Sequence, residues 1–170
     1  MIPARVRAAA LLVGACALAG CGYSFHGTLP DHVKTIAVPI FVNRTQQPAV
    51  EGVITRAIVD AFATNGRLRV VRPEDADSIL EGEVLQYTVG AIAVDSSLAV
   101  QQYRLAVTLN LRMRDVRQNR ILFEQSGFSE QADFLVAGSV AQTISIEATA
   151  LQQAATEIAR GVVSLALDRF

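Results

Sequence analysis

The stretch Tyr103-Arg-Leu-Ala-Val-Thr-Leu-Asn-Leu-Arg-Met113 decides the fold, because every odd position in it carries an apolar side chain. Its even positions carry mostly polar side chains, among them Arg104, Thr108, Asn110 and Arg112. Successive side chains of a β-strand point to opposite faces of a sheet, so this alternation is typical of a strand that is buried on one face only. We therefore expect a strand whose other face meets water or a partner.

A second strand is expected directly after it. The polar segment Asp115–Arg120 is typical of a hairpin turn, and Ile121–Phe128 then has the composition of a strand that Gly127 interrupts. The residues that follow, Ser129 to about Thr143, show no regular period and are expected to be irregular.

The preceding strand is expected over Ser78–Val89. Its apolar residues change parity near Val84, which indicates a β-bulge at that point. The segment Gly90–Gln102, between this strand and the next, is expected to be a loop.

The N-terminal half of the domain begins with a strand, Lys34–Phe41, which contains Pro39. Because proline cannot donate a backbone hydrogen bond, we expect this strand to lie at an edge or to be bulged at Pro39. Apolar residues at helical spacing then predict a helix over Pro48–Thr64, which Asn65 and Gly66 end. One face of this helix is expected to stay exposed: Glu51, Thr55 and Arg56.

A short strand, Arg67–Val71, should follow, and an apolar stripe from about Thr143 predicts a last helix. The order β-α-β-β-β-β-α indicates an α+β two-layer sandwich of the α/β class. In it, both helices pack on one face of a mixed sheet of four to five strands.

The front of the chain has the layout of a bacterial secretory signal. Arg5 and Arg7 precede the apolar run Ala8–Ala19, which is shorter than the ~20 residues of a membrane-spanning helix. The run leads into Leu18-Ala-Gly-Cys21, which resembles the lipobox of bacterial lipoproteins. We expect Cys21 to carry a diacylglycerol and an N-acyl chain; the alternative is a chance cysteine behind an ordinary signal peptide.

This interpretation divides the chain into three parts: a signal peptide at residues 1–20 that is removed, a lipidated tether at 21–33, and a single domain at 34–170. Cys16 leaves with the signal peptide, so the mature chain has no second cysteine for a disulfide. Gly22, rather than Asp, follows the lipidated cysteine, which by lipoprotein sorting rules indicates the outer membrane.

The charge of the mature chain argues against general nucleic-acid binding. Of fifteen basic residues, Arg5 and Arg7 leave with the signal peptide, so thirteen remain against sixteen acidic residues and the formal net charge is −3. A nucleic-acid surface needs a concentrated basic excess instead.

The sequence offers no recognisable catalytic or metal site. His26 and His32 have no second imidazole or thiolate at ligand spacing. A cluster of carboxylates follows Pro73, in a turn where Asp is common for backbone reasons: Glu74, Asp75 and Asp77. Nucleophilic catalysis needs a base beside the nucleophile, and no such pair is visible. We therefore expect a protein that is not an enzyme and holds no metal or dissociable cofactor.

Several motifs in order resemble the LptE family of lipopolysaccharide-assembly lipoproteins. They are Cys-Gly-Tyr at 21–23, the Ile-Ala-Val-Pro strand, the Asn-Arg-Thr loop, the first helix, GRLRVV, ADSILEG, QYRLAVTLNLRMRD and the Ala-rich last helix. The resemblance covers residues 21 to 170. It implies a non-enzymatic outer-membrane lipoprotein on the periplasmic side that plugs the LptD β-barrel translocon, assists barrel assembly and helps to deliver lipopolysaccharide.

Family members studied for lipopolysaccharide contact carry basic residues in the loop between the two long strands and before the last helix. Here Gly90–Gln102 and Ser129–Thr143 contain neither Arg nor Lys, so those roles are not carried over. The remaining candidates for lipopolysaccharide or barrel contact are arginines expected on outward strand positions and apolar residues of the two segments: Arg67, Arg69, Arg104, Arg112, Arg114, Ile92, Leu98, Val100 and Phe134. The plainer interpretation of the arginines is a solvated sheet face. The plainer interpretation of the apolar residues is a loop folded back on its own domain.

Two other functions fit the same elements. An envelope-assembly or secretion-associated lipoprotein, similar to curli-secretion lipoproteins or peptidoglycan-synthase activators, would need no translocon barrel. A periplasmic hydrolase is the third, and loss of its activity on substitution of His32 would identify it.

Overall fold

The computed structural model describes residues 29–136 and 139–168. The signal peptide, the proposed lipidation at Cys21 and most of the tether lie outside these residues. The described part folds, in chain order, into β1 Thr35–Ala37, β2 Val42–Asn43, α1 Val50–Asn65, β3 Arg69–Val70, β4 Ser78–Val94, β5 Val100–Asp115, β6 Arg120–Leu135 and α2 Val140–Asp168.

The strands form one mixed sheet in the order β3-β1-β4-β5-β6, with β2 paired to β4 beyond the end of β1. The three long strands β4, β5 and β6 are antiparallel neighbours, whereas β1 and β2 lie parallel to β4. Both helices pack on the same face of this sheet and contact each other. The expected two-layer α+β architecture is confirmed, and the sheet has six strands rather than four or five.

Strand β5 has the predicted alternation. The side chains of its odd positions are buried under the helices: Leu105, Val107, Leu109, Leu111 and Met113. The polar even positions therefore lie on the side of the sheet away from the helices, which we call the outer face. A β-bulge follows Val84 in β4, as the change of apolar parity predicted.

Helix α1 ends where the sequence predicted. Gly66 adopts φ 72° and donates its N–H to the carbonyl of Phe62, a left-handed conformation that glycine adopts without a steric penalty. The expected exposed face is wrong at Thr55. Its side chain is buried and its Oγ1 accepts a hydrogen bond from the N–H of Phe41, at 3.0 Å. A buried hydroxyl with a backbone partner is satisfied, so its polarity did not require exposure.

Helix α2 places a stripe of small and branched residues against the sheet. Among them, Ala154, Ile158 and Val162 are fully buried. Gly161 lies under the ring of Phe128 on β6, and a Cβ at Gly161 would meet that ring at 2.6 Å. The absent side chain therefore lets helix and strand approach closely.

The two segments expected to be irregular are largely strand. Strand β4 continues to Val94 and β5 begins at Val100, so only residues 95–99 form the loop. Strand β6 likewise passes Gly127, which takes φ 66° within a register shift, and runs to Leu135. Bulges explain both errors, because each one changes the parity of the side chains and hides a continuous strand from a search for strict alternation.

Pro39 splits the first predicted strand. The chain pairs over Thr35–Ala37 and again over Val42–Asn43, and Pro39 lies in the unpaired interval. The expectation of an edge strand is wrong for β1, which lies between β3 and β4. Proline is tolerated because the residues around it have left the ladder.

The long strands give the molecule two distinct ends. At the base, Ser78 pairs with Asp115, and Asp115 pairs with Arg120. At the opposite end, which we call the tip, Val94 pairs with Val100 in the β4–β5 hairpin. The sixteen residues of β5 separate base from tip by about 50 Å at ~3.3 Å per residue.

Candidate functional site

The outer face of β4, β5 and β6 is the side of the sheet that the helices do not cover. Its central row comes from the even positions of β5, and the register places carboxylates on both sides of that row. Glu81 of β4 and Glu124 of β6 flank Arg112, and Asp133 of β6 lies opposite Arg104. The face is therefore polar and built of cross-strand pairs of opposite charge.

Three arginines predicted as contacts lie on this face, each beside a carboxylate. Arg104 donates to Asp133 from Nε at 2.6 Å and from Nη2 at 2.8 Å, which is a bidentate pair. Arg112 donates to Glu124 from Nε at 3.1 Å and from Nη2 at 2.6 Å, and the Nε of Arg114 lies 3.4 Å from Glu81. Their charges are thus matched within the sheet.

These pairs perturb the titration of their members. Hydrogen bonds to Asp133 and its charge raise the pKa of Arg104, and the same hydrogen bonds hold the pKa of Asp133 below its usual range. Glu124 raises the pKa of Arg112 in the same way. A phosphate on the Nε–Nη2 side of either guanidinium would compete with the carboxylate that is already bound there.

The other two candidate arginines lie apart from this face. Arg69 is exposed on the two-residue strand β3. Arg67 lines a groove of about 660 Å³ between α1 and α2, together with Arg56 and Arg160. The structure therefore does not bring the five predicted arginines into one cluster.

A pocket of about 500 Å³ opens on the outer face near the split between β1 and β2. Ile40 and Val42 form an exposed apolar wall, and its floor includes Asn110 and Arg112. Ile40 projects here because Pro39 has interrupted the strand. The pocket adds an apolar rim to an otherwise polar surface.

The tip is the other candidate surface. Leu98 is 81% exposed at the turn of the β4–β5 hairpin, where it adopts φ 63°. Ile92 is exposed as well, whereas Val100 is half-buried at the start of β5. The structure thus places these three predicted residues together, at the end of the molecule farthest from the tether.

Phe134, the last of the predicted contacts, is part of the core. It is 5% exposed and its ring stacks on Tyr103, with 5.6 Å between ring centroids. Its neighbour Leu135, which the sequence reasoning missed, is 64% exposed and pairs with Gln102 at the tip. Only the strand alternation of β6, hidden by the bulge at Gly127, would have distinguished the two.

His32 lies at the base, where the tether enters the domain. Its Nε2 is 2.7 Å from Oδ2 of Asp115, whose Oδ1 accepts the backbone N–H groups of Arg117 and Gln118 in the β5–β6 turn. Burial alone would raise the pKa of Asp115, but these hydrogen bonds and His32 lower it below the ordinary value. The His32–Asp115 pair therefore holds the start of the domain against the β5–β6 turn.

Asp77 extends this network. Its Oδ2 accepts the backbone N–H groups of Lys34 and Thr35 and the hydroxyl of Thr35, and its Oδ1 lies 2.9 Å from Arg117. Leu29, in the segment predicted as tether, also packs against the core. The last residues of that segment thus belong to the folded domain.

No group of three or more His, Cys, Asp or Glu side chains among residues 29–136 and 139–168 is arranged to hold a metal ion. In the same part of the chain, neither helix combines the length and hydropathy that a membrane crossing requires.

The fold is shared by several solved bacterial proteins. A putative lipoprotein from Caulobacter crescentus superposes with a TM-score of 0.56 at 15% identity, over 76% of this chain and 87% of that one. A protein from Xanthomonas campestris gives 0.57 at 15% identity, over 84% and 90%. A minor lipoprotein from Acinetobacter baumannii gives 0.50 at 16% identity, over 78% and 90%. At these identities the likeness defines the class of fold.

The sequence identifies the family within that class. The model of the lipopolysaccharide-assembly (LptE) family matches residues 33–165, which span the whole sheet and nearly all of α2. The chain belongs to this family. No curated protein matches it.

Proposed function

We propose that this protein is a non-enzymatic outer-membrane lipoprotein, anchored through acyl chains on Cys21, that plugs an LptD-type β-barrel and assists its assembly. In this role it helps to deliver lipopolysaccharide to the outer leaflet. Family membership supports the assignment to lipopolysaccharide assembly. Two of the solved proteins with this fold are named lipoproteins, which agrees with the signal sequence.

The observation that carries the plug role is the outer face itself. Arg104, Arg112 and Arg114 are each matched by a carboxylate, so the face is polar without a large excess of either charge. Exposed ion pairs of this kind contribute little to stability, so the fold does not require them. The interior wall of a large outer-membrane barrel is also polar, and a charge-matched polar sheet fits against such a wall.

The tether is short enough to keep the domain beside its membrane. Seven residues lie between Cys21 and Leu29, the first described residue, and the eight Cα–Cα steps from Cys21 to Leu29 span at most ~29 Å when fully extended. Three acyl chains would hold the protein permanently, whereas one gives only marginal binding. The base of the domain therefore stays near the leaflet that holds the anchor.

The first experiment is affinity purification of the full-length, lipidated protein from its native envelope in mild detergent, with mass spectrometry of the proteins that accompany it. We expect a large β-barrel protein in stoichiometric amount that remains bound at high salt. Mass spectrometry of the mature N-terminus should show an acylated Cys21. Recovery of a synthase or a secretion pore instead would favour the rival envelope-assembly function.

A matched pair of variants tests the outer face. Ala106 lies at the centre of that face, between Thr88 and Gln131, and Ala106→Asp adds an unmatched charge there. Gln153 is exposed on α2, and Gln153→Asp adds the same charge on the helical side. We expect the first variant alone to lose the barrel protein, with unchanged circular dichroism. Equal recovery with both variants would contradict contact through the outer face.

A further inference from the structure

The groove of about 660 Å³ between α1 and α2, which we call the helix groove, lies on the side of the sheet away from the outer face. Its apolar lining comes from residues four positions apart on each helix: Ala57 and Ala61 of α1, and Ala159, Val163 and Leu167 of α2. Residues four apart are neighbours on one helix face, so each helix contributes an apolar row. The row from Ala159 to Leu167 is ~12 Å long at 1.5 Å per residue.

The rim of the helix groove carries an excess of positive charge. The described residues that line it include three arginines, Arg56, Arg67 and Arg160, and one carboxylate, Asp60. Guanidinium groups also stack on aromatic faces. The helix groove therefore suits a segment with aromatic side chains and without basic ones.

The tether enters the domain beside the helix groove. Strand β3 begins two residues after the groove residue Arg67 and pairs with β1 at Thr35. Just before β1, the N–H of Val33 donates to the carbonyl of Pro30 at 2.8 Å, which turns the chain. Leu29 then packs against the core between the helices and the sheet. The root of the tether thus lies at the end of the helix groove that Arg67 marks.

The tether has the composition that the helix groove suits. Residues 22–28 read Gly-Tyr-Ser-Phe-His-Gly-Thr, contain neither Lys nor Arg, and have only two large apolar side chains, Tyr23 and Phe25. Side chains two positions apart in an extended chain point to the same side. Phe25 can lie up to ~14 Å from Leu29 and Tyr23 up to ~22 Å, so both side chains can reach the ~12 Å apolar row.

We propose that the helix groove binds the protein's own tether, with Tyr23 and Phe25 docked between α1 and α2. Burial of the two aromatic rings stabilises the docked arrangement. The helix groove and the outer face lie on opposite sides of the sheet, so docking leaves the outer face available to a barrel wall. A docked tether holds the base close to the anchor, whereas release of the rings restores the full ~29 Å of reach. Docking itself requires neither lipidation nor a barrel, so it goes beyond the proposed function.

Disulfide trapping in the full-length, lipidated protein in mild detergent tests this docking. Cys16 leaves with the signal peptide and the sulfur of an acylated Cys21 is a thioether, so two introduced cysteines are the only free thiols. Ser24→Cys places one thiol on the tether between the two aromatic residues. Thr64→Cys places the other at the exposed rim of the helix groove.

Gln118→Cys replaces Thr64→Cys in the matched control. Gln118 is exposed in the β5–β6 turn, and this turn also lies at the root of the tether, because Asp115 contacts both His32 and the N–H of Gln118. A tether that does not dock would therefore reach the control position at least as readily as the helix groove.

The Ser24→Cys, Thr64→Cys protein should oxidise at least roughly tenfold faster than the control, because docking holds the two Cα atoms within the ~7 Å that a disulfide requires. Adding Tyr23→Ser and Phe25→Ser should lower this rate to that of the control. The circular dichroism should stay unchanged, since both residues precede the described domain. Peptide mapping by mass spectrometry identifies each disulfide as intramolecular or intermolecular.

Four results would overturn the proposal. Equal oxidation rates in the two proteins show that the tether does not dock. A fast disulfide that survives loss of both aromatic residues shows that they do not hold the tether. A disulfide between two molecules assigns the helix groove to the tether of a second copy. Loss of the fast disulfide on transfer from detergent to phosphatidylcholine vesicles assigns the aromatic residues to the membrane interface. An unacylated Cys21 defeats the proposed anchoring but leaves this test valid, because peptide mapping still identifies which cysteines have paired.

Discussion

Gly82 on β4 provides a direct test of how tightly the core is built around Phe41. A Cβ added at Gly82 would lie 2.5 Å from Cδ2 and Cζ of the Phe41 ring. Phe41 is buried, and its N–H is held by the hydroxyl of Thr55 at 3.0 Å, so the ring has little freedom to withdraw. The glycine is therefore required by its neighbour, since its φ is not in the left-handed region.

The cost of Gly82→Ala follows from the displacement that the methyl group demands. Carbon atoms pack at about 3.5–4.0 Å, so the ring or the strand must move by about 1 Å. Overpacking of this kind costs roughly 1–3 kcal/mol. For a chain of this size, 1 kcal/mol corresponds to about 2–4 °C in melting temperature, so we expect a fall of roughly 2–12 °C.

Thermal and urea unfolding followed by circular dichroism measure the effect. Gly90→Ala is the control, because Gly90 lies on the same strand with no atom within 4 Å of its added Cβ, and its stability should be unchanged. Phe41→Leu combined with Gly82→Ala should be more stable than the sum of the two single losses predicts, because the smaller side chain relieves the clash. A Gly82→Ala protein as stable as the parent, with Phe41 intact, would refute the reasoning.

Three further changes have defined outcomes. Leu109→Ala empties a fully buried position at the centre of β5 and should cost about 2–5 kcal/mol of unfolding free energy, measured by urea titration. Gly66→Ala forces a side chain into φ 72° at the end of α1 and should cost about 1 kcal/mol; a melting temperature equal to the parent's would contradict this. Asp115 has a lowered pKa, so its carboxylate stabilises the fold above about pH 4, and this stability is lost as the pH falls through the folded-state value. Asp115→Asn should therefore reduce stability at neutral pH and flatten the acid limb of a urea-unfolding series from neutral pH downwards, whereas an unchanged limb would show that another carboxylate controls it.

The alternation in β5 predicted both the strand and its buried face because nothing interrupts it between Tyr103 and Met113. The helices were equally visible, since an apolar stripe at helical spacing is long and Gly66 gives a definite end to α1. These elements and their order were sufficient to predict the two-layer sandwich.

The missed structure lies where local patterns are irregular. The ends of β4 and β6 pass through bulges, so the parity of Ile92 and Leu135 could not be followed from the sequence. The sequence also does not show which residues of distant strands pair with each other. The carboxylates of Glu124 and Asp133 that occupy Arg112 and Arg104 are neighbours only through the register of β5 and β6.

The short strands β1 and β2 flank only the first part of β4, through pairings at Ser78, Ile79, Glu83 and Val84. Beyond Val84 the ribbon of β4, β5 and β6 has no further strand on either side. Amide protons near the base should consequently exchange with solvent only when the whole domain unfolds. Those between Tyr103 and the tip should exchange through local opening. One continuous sheet thus combines a rigid base with a tip that can change shape at little cost in free energy to the rest of the domain.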